Sequence, residues 1–127
     1  MFHILVVEDD TNARKLMKAV LERAEYCVIP AVNGEDALAL LDSNHVDLIL
    51  LDIMMPGMDG YTLATELRAA GNTVPILMVT AKQLPADKRK GFLAGTDDYM
   101  TKPVDTEEML LRIKALLRRS RIVSERK

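Results

Sequence analysis

Cysteine is nearly absent: Cys27 is the only one, so no disulfide can form within the chain. In the apolar stretch YCVIP it reads as a small buried side chain in a reduced, cytosolic setting. Long hydrophobic runs are also lacking. None approaches the roughly 18 residues that a membrane-spanning helix requires, and the N-terminus carries no signal-peptide pattern. Positive charge is not in excess, since the formal net charge is −2, which argues against general affinity for nucleic acid. No loop of the G-x-x-x-x-G-K type is present, so direct use of ATP is not expected. Internal repeats and low-complexity segments are missing too. What is there is globular: 127 residues, 49% apolar and 28% charged, long enough to bury one core. The expectation is a soluble, cytosolic, single domain.

Apolar runs alternate with amphipathic segments five times. The strand candidates are HILVV (His3 to Val7), YCVIP (Tyr26 to Pro30), DLILL (Asp47 to Leu51), PILMV (Pro75 to Val79) and DYMT (Asp98 to Thr101). The first, third and fourth are almost continuously apolar, as in parallel strands buried on both faces. Ala13, Leu16, Met17, Val20, Leu21 and Ala24 share one helical face. Asn33 followed by Asp36 marks the cap of a second helix, and Tyr61 to Ala70 reads as a third, stopped by Gly71. Pro85 to Ala94 is a weak fourth, because it holds the charged run DKRK and Gly91, which costs about 1 kcal/mol relative to Ala. Asp105 and Glu108 resemble a capping box ahead of Met109, Leu110, Ile113, Leu116 and Leu117. Strand and helix in alternation imply parallel strands joined by right-handed crossovers, hence a three-layer α/β sandwich. Past Arg119 the periodicity stops, so 1–119 reads as the domain and 120–127 as a tail or the start of a linker.

Chemistry gathers where the strands end. Glu8, Asp9 and Asp10 follow the first strand and Asp52 the third; Thr80 and Ala81 follow the fourth, Lys102 and Pro103 the fifth. Ligands of open parallel sheets bind outside those carboxyl ends. Neighbouring carboxylates repel, and a hard cation such as Mg²⁺ relieves this with one or two direct carboxylate ligands. Lys102 adds a mobile cation, Thr80 a hydroxyl and Ala81 a backbone N–H, each able to hold a phosphoryl oxygen. Together these are the parts needed to make and hold an aspartyl phosphate. Asp10 and Asp59 read instead as helix caps.

The ordered motifs ILVVEDD, LLDIMMPGMDG, VTA and DDYMTKP resemble the receiver domain of two-component response regulators from Ile4 to about Arg119. The resemblance implies a flavodoxin-like fold, a five-stranded parallel sheet in order 2-1-3-4-5 with five helices. It makes Asp52 the phosphoacceptor, Asp9 a direct Mg²⁺ ligand, Glu8 a ligand through water, and the Met54 backbone carbonyl a further ligand. Thr80 and Lys102 match the family's phosphate-sensing hydroxyl and lysine. Pro103 stands where a cis Lys–Pro bond is common, and Tyr99 matches the switch aromatic, expected to turn inward as Thr80 moves. The implied donor is a phosphohistidine on a sensor histidine kinase, and the chain is a regulatory domain rather than an enzyme.

DDYMTKP with RIKALLRR further resembles the OmpR/PhoB subfamily, whose receivers form homodimers through the fourth helix, fifth strand and fifth helix. Lys88, Asp97, Asp98, Glu108, Arg112 and Arg119 fall at or near its pairing positions. That subfamily regulates transcription through a winged-helix DNA-binding domain outside this chain; a stand-alone receiver acting through protein contacts is the alternative. Thr96 and Val104 depart from the family's usual Ala and Phe, which bears on output packing. An Asp-nucleophile Mg²⁺ phosphatase is the enzyme rival, but it needs a second Asp where this chain has Met54. A flavodoxin would need N–H donors where Glu8, Asp9 and Asp10 stand.

Overall fold

The computed structural model describes residues 1–82 and 84–125, the last five by backbone alone. Strands β1 (His3–Val7), β2 (Cys27–Ala31), β3 (Leu48–Leu51), β4 (Ile76–Thr80) and β5 (Asp98–Thr101) alternate with helices. These are α1 (Thr11–Arg23), α2 (Gly34–Ser43), α3 (Gly60–Ala69), α4 (Pro85–Ala94) and α5 (Thr106–Glu125). All strands pair in parallel, in the order β2-β1-β3-β4-β5. This is the flavodoxin-like arrangement expected from the sequence.

Strand periodicity divides the core in two. Leu5, Val7, Ile49, Leu51, Ile76 and Met78 point to one face, where Leu63, Ala64 and Leu67 of α3 cover them. Ile4, Val6, Leu48, Leu50, Leu77 and Val79 point to the other, against Met17 and Leu21 of α1 and Met109 and Ile113 of α5. The central strands are therefore apolar at every position because both faces are dry. On α1 only Met17 and Leu21 are fully buried, while Leu16 is 61% exposed: the apolar stripe is wider than the face the sheet covers.

Capping follows the sequence closely. Asp10 accepts from the Ala13 N–H (2.8 Å), Asn33 from Asp36 (2.7 Å) and Asp59 from Thr62 (2.8 Å). Gly71, at φ 79°, closes α3 as expected, with the Asn72 N–H reaching Leu67 and its own N–H reaching Arg68. Only half of the capping box forms. Asp105 accepts from Glu107 and Glu108, but the Glu108 carboxylate turns to Arg112 instead of back to the cap. The backbone of α5 stays helical to Glu125, beyond Arg119, since an established helix propagates at little further cost. Arg126 and Lys127 of the basic tail lie outside the described residues, as does the Arg121 side chain.

Glu25 ends α1 at φ 71°, a left-handed conformation that glycine adopts without strain. Glu25→Gly should therefore raise unfolding stability by about 0.5–1 kcal/mol, read as a higher urea midpoint at unchanged slope.

Candidate site at the carboxyl edge of the sheet

Register brings the site together. β1 and β3 align so that the Asp52 N–H donates to the Val7 carbonyl (3.1 Å), setting Asp52 beside Glu8. Across β4 and β5, the Lys102 N–H donates to the Thr80 carbonyl (2.8 Å). The Lys102–Pro103 bond is cis. Lys102 Nζ spans the opening, donating to Glu8 Oε1 (2.9 Å) and Asp52 Oδ2 (3.0 Å). Asp52 Oδ1 accepts from the Met54 N–H (3.2 Å), and Glu8 Oε2 accepts from the Asp10 N–H (3.3 Å).

Glu8 is 1% exposed and Asp52 7%, whereas Asp9 lies open to solvent. One carboxylate oxygen from each of the three comes within 4.8 Å of the others. Three carboxyl groups thus gather around a single ammonium, a formal excess of acidic over basic groups. Burial raises the Glu8 pKa; the Lys102 hydrogen bond opposes this and the nearby Asp52 charge adds to it. At Lys102 burial acts against the charge, but bonds to Glu8 and Asp52 outweigh it and raise the pKa. All-oxygen donors, close spacing and surplus negative charge suit a hard divalent cation.

The loop after Asp52 is tightly held. A Cβ at Gly60 would stand 2.6 Å from the Asp52 carbonyl oxygen and 2.8 Å from the Ile53 Cα, so only glycine permits that approach. The Gly60 and Met55 N–H groups both donate to the Ile53 carbonyl (2.9 and 3.1 Å). Met54 is 57% exposed, and the part of it that touches the site is its backbone N–H on Asp52 Oδ1. Arg14 was not singled out in the sequence, yet its Nη1 donates to the Glu8 and Asp9 carbonyls (2.8 and 3.3 Å) and braces the acidic turn.

Thr80 is fully buried, and its Oγ1 accepts from the Lys82 N–H at 3.4 Å; Ala81 is exposed next to it. Tyr99 lies inward at 6% exposure, its hydroxyl donating to the Lys82 carbonyl (2.8 Å). Thr96 is a satisfied departure: its buried hydroxyl lies 3.0 Å from the Ile76 carbonyl and 2.7 Å from that of Asp98.

The proposed pairing residues lie on α4, α5 and around β5 at the edge of the sheet, and several hold partners within the chain. Arg112 Nη1 donates to both Asp98 oxygens (2.9 Å each), and its Nη2 donates to Glu108 (3.1 Å). Asp97 Oδ2 accepts from Arg68 Nη2 (2.9 Å) and from the Ile76 N–H (2.8 Å). Arg68 also donates to the Gly95, Asn72 and Val74 carbonyls, tying two loops to the end of α3. No local pattern marks that role, because every partner but Asn72 is six or more residues away. Lys88 and Arg119 are exposed.

A flavodoxin-like sheet with a lysine-bridged acidic cluster at its carboxyl edge defines the chain as an acidic-site α/β domain. The chain belongs to the response regulator receiver domain family, whose model matches residues 4–114. It is 49% identical over 118 residues to the transcriptional regulatory protein ResD of Bacillus subtilis, covering 92% of this chain and 48% of ResD. The chain thus spans about half the length of the curated relatives it matches, which are of the OmpR/PhoB type. The receiver domain of Francisella response regulator 1452 superposes with a TM-score of 0.91 at 32% identity, covering 94% of this chain and 99% of that one. TrrA from Thermotoga maritima, solved with Mg²⁺–BeF, gives 0.83 at 35% identity over 91% and 99%. Among the described residues no helix is long and apolar enough to cross a membrane.

Proposed function

We propose that the chain is a phosphorylation-activated switch in which Asp52 accepts a phosphoryl group from a phosphohistidine of a sensor histidine kinase. The observation that carries this reading is the Lys102 ammonium held between Glu8 and Asp52 with Asp9 alongside. The P–N bond of the donor breaks as a P–O bond to Asp52 forms, and the imidazole leaves with the electron pair. Lys102, released from Asp52, turns to an oxygen of the transferred group, and the Thr80 hydroxyl and Ala81 N–H take others. Asp9, Asp52 and the Met54 carbonyl would hold Mg²⁺, with Glu8 acting through water. When bound, Mg²⁺ neutralises charge on the transferring group, as suits a site of the kind TrrA offers to Mg²⁺–BeF. Chelation should stop labelling by acetyl phosphate; labelling at an equal rate without divalent cation would count against the metal's role.

The reading extends to output. Thr80 and Tyr99 convert the new charge into a shift at α4, and α4, β5 and α5 form the dimer face through Lys88, Asp97, Asp98, Glu108, Arg112 and Arg119. Asp98, Arg112 and Glu108 would then exchange their internal partners for those of a second copy. Transcription would be controlled by a DNA-binding domain outside this chain, in keeping with relatives that are transcriptional regulators. The setting is cytoplasmic.

Metal binding has its own signature. Mg²⁺ at a hundred-fold excess over its Kd should raise unfolding stability by about 2.7 kcal/mol. Asp9→Asn should remove most of that gain while leaving metal-free stability nearly unchanged, because Asp9 is exposed. Thermal unfolding of both proteins with and without Mg²⁺ checks this.

A further inference from the structure

α4 is an unusual helix: Gly91 is its only fully buried residue, and Phe92 and Leu93 project outward at 51% and 89% exposure. Something other than a packed apolar stripe must therefore position it. Two tyrosines do so. A Cβ at Gly91 would lie 3.1 Å from the Tyr99 ring, so the α4 backbone rests directly on that ring. From α3, the Tyr61 hydroxyl donates to the Asp87 carbonyl in the first turn of α4 (3.1 Å). The Lys90 ammonium sits 4.5 Å from the centre of the Tyr61 ring, a second tie one turn further along. Tyr61 is itself 7% exposed, and its own carbonyl accepts from Thr65 within α3. The ring is thus packed into the α3 side of the contact.

Both rings belong to the same apolar cluster, and burial is the main cause raising the pKa of each. Tyr99 in turn donates to Lys82, whose N–H reaches the Thr80 hydroxyl. Contacts therefore run from Thr80 through Lys82 to Tyr99 and from the Tyr99 ring to Gly91 of α4, the helix that Tyr61 holds at Asp87 and Lys90. Gly60, immediately before it, is pressed against the Asp52 carbonyl, so the same residue stands at the foot of the phosphoacceptor loop.

We infer that Tyr61 is a positioning residue of the switch, coupling the state of Asp52 and Tyr99 to the placement of α4 through its hydroxyl bond to Asp87 and its ring contact with Lys90. The inference rests on the phosphoacceptor reading above. Tyr61→Phe keeps the ring and deletes only the hydroxyl, so the fold is retained. The experiment compares hydrogen exchange of the α4 amides before and after labelling with acetyl phosphate and Mg²⁺, in wild type and in Tyr61→Phe. Labelling itself should be equal in the two proteins. The exchange change that labelling produces across α4 should shrink by about five-fold in the variant, the factor that one typical hydrogen bond is worth in an opening equilibrium. Lys90→Gln should shrink it less. A plain structural tether would instead raise α4 exchange equally in both states, leaving the difference as in wild type. That outcome, in a labelled variant, overturns the inference alone. A wild-type chain that takes no label removes the phosphoacceptor reading and this inference with it.

Discussion

Asp52→Asn is expected to reduce phosphoryl labelling to background while leaving a folded and slightly more stable protein. The amide retains an oxygen that can accept from the Met54 N–H, so the loop geometry survives. It removes the carboxylate nucleophile, and an uncharged amide offers no comparable attack on phosphorus. It also removes one of the like charges facing Glu8, a residue whose protonation is favoured partly by the Asp52 charge. Unfolding stability near neutral pH should rise by about 1 kcal/mol without metal, offset by the lost bond to Lys102. Labelling of the variant at the wild-type level would sink the assignment of Asp52.

Lys102→Met should have the opposite effect on stability. It leaves buried Glu8 and Asp52 without the ammonium they share. Removing one partner of a fully buried pair costs about 3–5 kcal/mol, and the partial exposure of Lys102 lowers the expectation here to about 2 kcal/mol. The pH dependence follows in sign. Glu8 already has a folded-state pKa above its ordinary 4.5, so its stabilising contribution is present below that value and is lost as pH rises through the folded pKa. Without Lys102 the folded pKa rises further. The deficit relative to wild type should be small at about pH 5 and full at about pH 8. Mg²⁺ should restore more stability to the variant than to wild type. Urea midpoints at the two pH values measure this, and a pH-independent deficit would point to lost packing instead.

The parts legible in the sequence share one property: they depend on local pattern. β1, β3 and β4 were readable because strands buried on both faces must be apolar throughout, and Asp10, Asn33 and Asp59 because a cap acts within three residues. Glu8, Asp9, Asp52 and Lys102 were readable because strand ends in a parallel sheet share one edge. Gly91 looked only like a cost to α4, since the Tyr99 ring that rests against it is eight positions away in the chain. Arg68 and Tyr61 carried no signal, because their partners lie up to 29 and 26 residues off. Glu108 matched a capping box by spacing but was drawn to Arg112, where a charged partner outcompetes a backbone N–H.

Direct mapping of the modified residue tests the central claim. The wild-type chain is incubated with acetyl phosphate and Mg²⁺, digested, and its peptides sequenced by tandem mass spectrometry. The expected result is one phosphoryl group, carried on Asp52 and missing when the divalent cation is chelated. A chain that takes no label under these conditions, or that carries it on Asp9 or any other residue, would contradict the claim.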